Sequence, residues 1–94
     1  MYQAEQKDGT LIINFKGRMD TNACSEVEIA IKAEIEKAGL PVFFDLKDVD
    51  FVSSAFLRIC LYTAKKVGAG KFQVTNAAPQ IKKVFKIAGM DQFI

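Results

Sequence analysis

A chain of 94 residues, half of them apolar and with a formal net charge of +2, can bury one core and is too weakly charged to imply a polyanion such as nucleic acid as partner. Histidine and tryptophan are absent, which excludes a histidine-based nucleophile triad and a histidine-ligated metal. No apolar run approaches the roughly 18 residues that span a bilayer, and no charged-then-apolar leader opens the chain, so residues 1–94 read as a single cytoplasmic domain without membrane insertion.

In chain order, residues 2–6 and 11–15 bracket Lys7-Asp8-Gly9-Thr10, and Asp-Gly between apolar-containing runs signals a hairpin because both residues tolerate positive φ. Leu11, Ile12, Ile13 and Phe15 make the second strand the more buried one, and Gly17 is expected to end it. Arg18-Met19-Asp20-Thr21-Asn22 then supplies helix-capping residues, with Asp20 or Thr21 as the cap. The helix that follows should run to about Lys37 and stop at Gly39. Ala23, Cys24, Val27, Ala30, Ile31, Ile35 and Ala38 form its inward stripe, and Glu26, Glu28, Lys32, Glu34 and Glu36 its wet side.

Pro41 to Phe44 is a short continuous apolar run, as expected of a strand central in a sheet, and Lys47 to Val52 reads as an acidic loop. Ser53 and Ser54 are good N-cap residues, so a helix should begin there. Spacings of three and four put Leu57, Cys60, Leu61, Ala64 and Val67 on its buried face and leave Arg58, Tyr62 and Lys65 presented. The helix ends at Gly68-Ala69-Gly70, a turn without a phosphate-binding fingerprint. Phe72 to Val74 is a further strand. Pro79 suits the first position of a last helix that buries Ile81, Val84, Phe85 and Ala88, turns Lys82, Lys83 and Lys86 outward and closes at Gly89. Met90 to Ile94 is expected to add a short strand. The order ββαβαβα(β) predicts an α/β fold: a mixed sheet of about four to five strands, with an N-terminal hairpin, then parallel crossovers, and three helices packed on it.

The chemistry-bearing residues are few. Cys24 and Cys60 fall on apolar stripes, where a free thiol behaves as a small hydrophobe, and a reducing compartment argues against a disulfide. Asp45, Asp48 and Asp50 lack histidine or a second carboxylate cluster and read as solvated turn residues, so no metal or other cofactor is expected. The lysines of the last helix have no interleaved aromatic platform for nucleic acid. What remains is a serine pair at a strand-to-helix junction, at the positive end of a helix dipole.

Three stretches in the same order resemble one family: Gly17-Arg18-Met19-Asp20-Thr21; Phe44-Asp45-Leu46-Lys47-Asp48-Val49-Asp50-Phe51-Val52-Ser53-Ser54-Ala55-Phe56-Leu57-Arg58; and Asn76-Ala77-Ala78-Pro79 through Phe85 to Gly89-Met90. Together they resemble the STAS domain in its stand-alone bacterial form, the anti-sigma-factor antagonists. The resemblance implies a non-enzymatic module that binds a serine kinase doubling as an anti-sigma factor and is released when that kinase phosphorylates a serine, with a phosphatase to reset it. It places the phosphoacceptor at Ser54, with Ser53 where the family has Asp, Ala55 at the second hydroxyl position and Phe56 where the family usually has Gly. Asp20 matches an acidic residue beside the phosphorylation site. The implied partner surface is Asp20, Thr21, Ser53, Phe56 and Arg58 around Ser54, with Phe56 as a bulky ring on that surface. The alternative is a non-phosphorylated STAS adaptor subunit of a lipid-transport ATPase or a stress-signalling scaffold, with Ser54 no more than a helix cap.

Overall fold

The protein is described by a computed structural model covering residues 2–68 and 70–94; Met1, and Ala69 of the expected Gly68-Ala69-Gly70 turn, lie outside the described residues. Its organising unit is a pair of long parallel strands, β2 (Thr10–Met19) and β3 (Val42–Val52), joined by helix α1 (Thr21–Ala38). Strand β1 (Tyr2–Lys7) flanks β2 antiparallel, β4 (Phe72–Thr75) flanks β3 parallel, and the sheet order is β1-β2-β3-β4. Helix α2 (Ser54–Val67) connects β3 to β4, and helix α3 (Pro79–Ile87) follows β4. Two successive crossovers run in one direction along the sheet, and α1 and α2 pack side by side, as expected where such connections share the usual right hand.

The hairpin forms where Asp8-Gly9 lies between apolar-containing runs: both turn residues have positive φ, 53° and 76°, and Lys7 pairs with Thr10 across them. Along the strands Leu11, Ile13 and Phe15, Val42, Phe44 and Leu46, and Phe72 and Val74 are buried, while the alternate residues are half-buried or exposed. One face of the sheet therefore carries the core. Through that core runs a chain of edge-to-face or tilted rings: Phe56 to Phe15 at 5.0 Å, Phe15 to Phe44 at 4.9 Å, Phe44 to Phe72 at 4.9 Å and Phe72 to Phe93 at 5.3 Å.

Several expectations change. Gly17 does not end β2; it sits inside the strand at φ 90°, where the pairing with β3 shifts register, and the strand continues to Met19. Lys47 to Val52 is not a loop but the second half of β3, paired with β2 as far as Met19 and Val52. Two bulges hide this half from sequence, because each extra residue on β3 interrupts the alternation that marks a strand. In α2 the buried side is Ala55, Phe56, Ile59, Cys60 and Thr63; Leu57, Ala64 and Val67 flank it half-buried, and Leu61 is 40% exposed. The helix is rotated so that its largest ring meets the sheet. Ala30, Val84 and Ala88 also face solvent rather than the core. Met90 to Ile94 adds no strand: Asp91–Phe93 is a 3-10 turn that brings Phe93 against Phe72, and the sheet has four strands.

Candidate functional site at the paired strand ends

Because β2 and β3 are adjacent and parallel, their C-terminal ends finish together. Met19 and Val52 are the last register partners, and the Ser53 N–H donates to the Met19 carbonyl at 3.0 Å. Both chains turn into helices at this level. Two N-terminal helix ends thus stand side by side, one capped at Asp20 and the other at Ser53.

The Asp20 carboxylate accepts from the Ala23 N–H at 2.9 Å, and the Ser53 hydroxyl accepts from the Phe56 N–H at 3.3 Å. Each satisfies a donor that the first helical turn leaves free. Cys24 lies buried between the junctions: its thiol donates to the Met19 carbonyl at 3.7 Å and lies 3.9 Å from the Ser53 hydroxyl oxygen. Burial, more than any neighbour, pushes the Cys24 thiol pKa up; the charges of Asp20 and Glu28 add to this, while the Ser53 contact and the Arg58 charge oppose it. Cys60, fully enclosed, is pushed well above the ordinary thiol value, again chiefly by burial. Both stay protonated and free, and neither is a nucleophile at neutral pH.

Asp20 also has a cation beside it. Arg18 holds its Nε 3.7 Å from the second Asp20 oxygen, and its guanidinium lies 3.9 Å above the Phe51 ring. Arg18 and Phe51 are register partners on β2 and β3, so the sheet itself makes this stack. On the flank, Lys32 of α1 lies 4.6 Å over the Tyr62 ring of α2 and pairs with Glu28 at 2.7 Å.

Of the residues expected at the site, Asp20 and Ser53 are half-buried caps, and Thr21, Ser54 and Arg58 are exposed around them. Ser54 is the first residue of α2, and no hydrogen bond to its hydroxyl occurs among the described residues. Phe56 is the exception: at 0% exposure, packed on Phe15, its ring is core and takes no part in a surface. Burying a phenyl ring is worth about 2–3 kcal/mol, which outweighs a place on the surface read from sequence position. Sequence reasoning missed Arg18 and Phe51, which meet only through the strand register, and the thiol of Cys24, which lies beside the Met19 carbonyl and the Ser53 hydroxyl. Asp48 and Asp50 are exposed strand residues, and Asp45 accepts from the Lys47 N–H at 3.0 Å and the Asn76 side chain at 3.2 Å, tying β3 to the residue after β4. Among the described residues no three His, Cys, Asp or Glu side chains gather as metal ligands, and no helix is long and apolar enough to cross a membrane.

The model of the STAS domain family matches residues 1–94. This chain belongs to the STAS domain family. BtrV of Bordetella bronchiseptica, named as an anti-sigma factor antagonist, is 31% identical over 84 residues, which cover 87% of this chain and 72% of that protein. An anti-sigma factor antagonist from Mycobacterium paratuberculosis superposes with a TM-score of 0.85 at 26% identity, covering 98% of this chain and 80% of the other. SpoIIAA of Bacillus superposes at 21% identity with TM-scores of 0.84 in its unphosphorylated and 0.75 in its phosphorylated form, each covering 99% of this chain and 84% and 87% of theirs. At that identity the likeness to SpoIIAA is one of fold. The relatives are named for regulation of other proteins rather than for a reaction. The exposed Ser54 hydroxyl has no base hydrogen-bonded to it among the described residues.

Proposed function

We propose that this STAS domain is an anti-sigma-factor antagonist-like module that binds a kinase doubling as an anti-sigma factor and is released when that kinase phosphorylates Ser54. The observation that carries the reading is the division of labour in the serine pair. Ser53 is half-buried and spends its hydroxyl on the cap, whereas Ser54 is exposed, with its hydroxyl free, at the junction beside Asp20. The partner surface in this reading is Asp20, Thr21, Ser53 and Arg58 around Ser54; Phe56 acts beneath it as the ring that fixes the first turn of α2.

The kinase supplies ATP. The bond from the Ser54 oxygen to phosphorus forms as the bond to ADP breaks, and the hydroxyl proton leaves with the kinase's base. The phosphate brings roughly −1.5 to −2 charges at neutral pH. The start of a helix tolerates that charge, so its effect falls on the partner, through repulsion and desolvation at a surface shaped for a neutral hydroxyl. No refolding is needed. The domain is not an enzyme in this reading; it works in the cytoplasm, a phosphatase resets it, and it needs no cofactor and no nucleic acid.

The test is a quantitative pull-down from native lysate comparing wild type with Ser54→Asp, with bound proteins identified by mass spectrometry. A protein with a kinase-type ATP-binding domain held by wild type and lost with Asp is the expected result. The same partners on both forms, or a transporter subunit as the main partner, would overturn the reading in favour of an adaptor. The adaptor reading takes Ser54 as no more than a helix cap, whereas the hydroxyl that caps α2 is that of Ser53.

A further inference from the structure

We propose that Arg58 is the intramolecular partner of a phosphoryl group on Ser54, a clamp within α2 that holds the modified side chain against its own helix. The proposal rests on Ser54 as phosphoacceptor and adds what becomes of the phosphate. Ser54 opens α2 and Arg58 stands four residues on, both exposed. Four residues are about 6 Å of helix and bring the two side chains onto one face, the spacing at which oppositely charged groups pair.

The protein's two arginines differ in what surrounds them. Arg18 is engaged by the Asp20 carboxylate and the Phe51 ring. Arg58 makes no ion pair and covers no ring among the described residues. It also sits early in a helix whose first turn has no acidic residue, so a cation stands near the positive end of the dipole without a counter-charge. A phosphate one turn above supplies that charge. Its oxygens match the planar fork of the guanidinium, which can take two of them at once. The Arg58 charge already reaches the junction, since it is among the groups that act on the Cys24 thiol. Once engaged by the phosphate, Arg58 is no longer free for a partner.

The experiment is a phosphorus NMR titration of the full chain carrying phosphoserine at position 54, made by ligation of synthetic segments, in wild type, Arg58→Gln and Arg58→Lys. The second ionisation of a phosphoserine lies near pH 6. Arg58→Gln should raise it by about half a unit, and Arg58→Lys should recover most of that shift, because a nearby cation favours the more charged phosphate. Ser54 and Arg58 are exposed, so the variants are expected to fold, and the melting temperature of each unphosphorylated form checks this. Phosphorylation should also raise the melting temperature more in wild type than in Arg58→Gln. An ionisation unmoved by Arg58→Gln would overturn the proposal. The titration uses no partner, so it can fail while the lysate comparison still upholds Ser54 as the switch, and the two failures stay distinct.

Discussion

The two strand-to-helix junctions, Met19-Asp20-Thr21 and Val52-Ser53-Ser54, share a plan and differ in charge. Each ends one of two paired strands, each opens a helix, and each is capped by its first polar side chain. The Asp20 carboxylate is already partnered by its own helix and by Arg18. The β3 junction is neutral, with one serine committed to the cap and the next exposed. If Ser54 is the phosphoacceptor, as proposed, a carboxylate then stands beside a position that a kinase can charge: the Asp20 junction stays as it is while the other changes state.

Substitutions break or sharpen this comparison in a definite order. The largest effect is expected from Phe56→Gly, which removes the ring beneath the β3 junction and adds a glycine to the first turn of α2. It should lower unfolding free energy by about 4–5 kcal/mol in urea titration. A loss below about 1 kcal/mol would mean that Phe56 does not anchor the junction. Asp20→Ala and Ser53→Ala should each lose about 1 kcal/mol, with Ser53 the smaller because its cap bond is longer, while Ser54→Ala stays within about 0.5 kcal/mol. If Ser54→Ala proved the costlier of the serine changes, the roles of the pair would be exchanged.

Alkaline pH tests the thiols. Burial holds the Cys24 and Cys60 pKa values above the ordinary 9.0 in the folded protein, so the folded state keeps protons that the unfolded chain releases. Stability present below about pH 9 should therefore decline as pH rises beyond it, and Cys60→Ala should flatten that decline in melting curves taken across the range. The smallest effect belongs to Ile29, which is 84% exposed on α1. Ile29→Ser should leave stability within about 0.5 kcal/mol of wild type.

Much of this fold can be read from local signals. Asp8-Gly9 marks the hairpin, Asp20-Thr21 and Ser53-Ser54 the helix starts, Gly39 the end of α1 and Pro79 the first position of α3, because each reports a backbone state that its own residues favour. The far half of β3 could not be read this way. Lys47, Asp48 and Asp50 look like loop, and they are strand because their stretch pairs with β2, Asp48 with Lys16, Val49 with Gly17 and Phe51 with Arg18, across the two register shifts. Phe56 differs for a related reason: its position in a motif speaks for the surface, while its ring packs beside Phe15 and Phe44. Met90 to Ile94 has the composition of a strand, but its short turn packs Phe93 on Phe72 instead of extending the sheet.

The sequence by itself determined the order of elements, the helix starts, the α/β class and the serine pair at a helix start, since these follow from residue preferences and spacings a few positions long. Only the tertiary structure decided which serine is free, that Arg18 is held by Phe51 and Asp20 while Arg58 is not, and that the ring of Phe56 lies inside. Those outcomes depend on which side chains meet across paired strands and packed helices some thirty residues apart in sequence, and no local preference encodes such contacts.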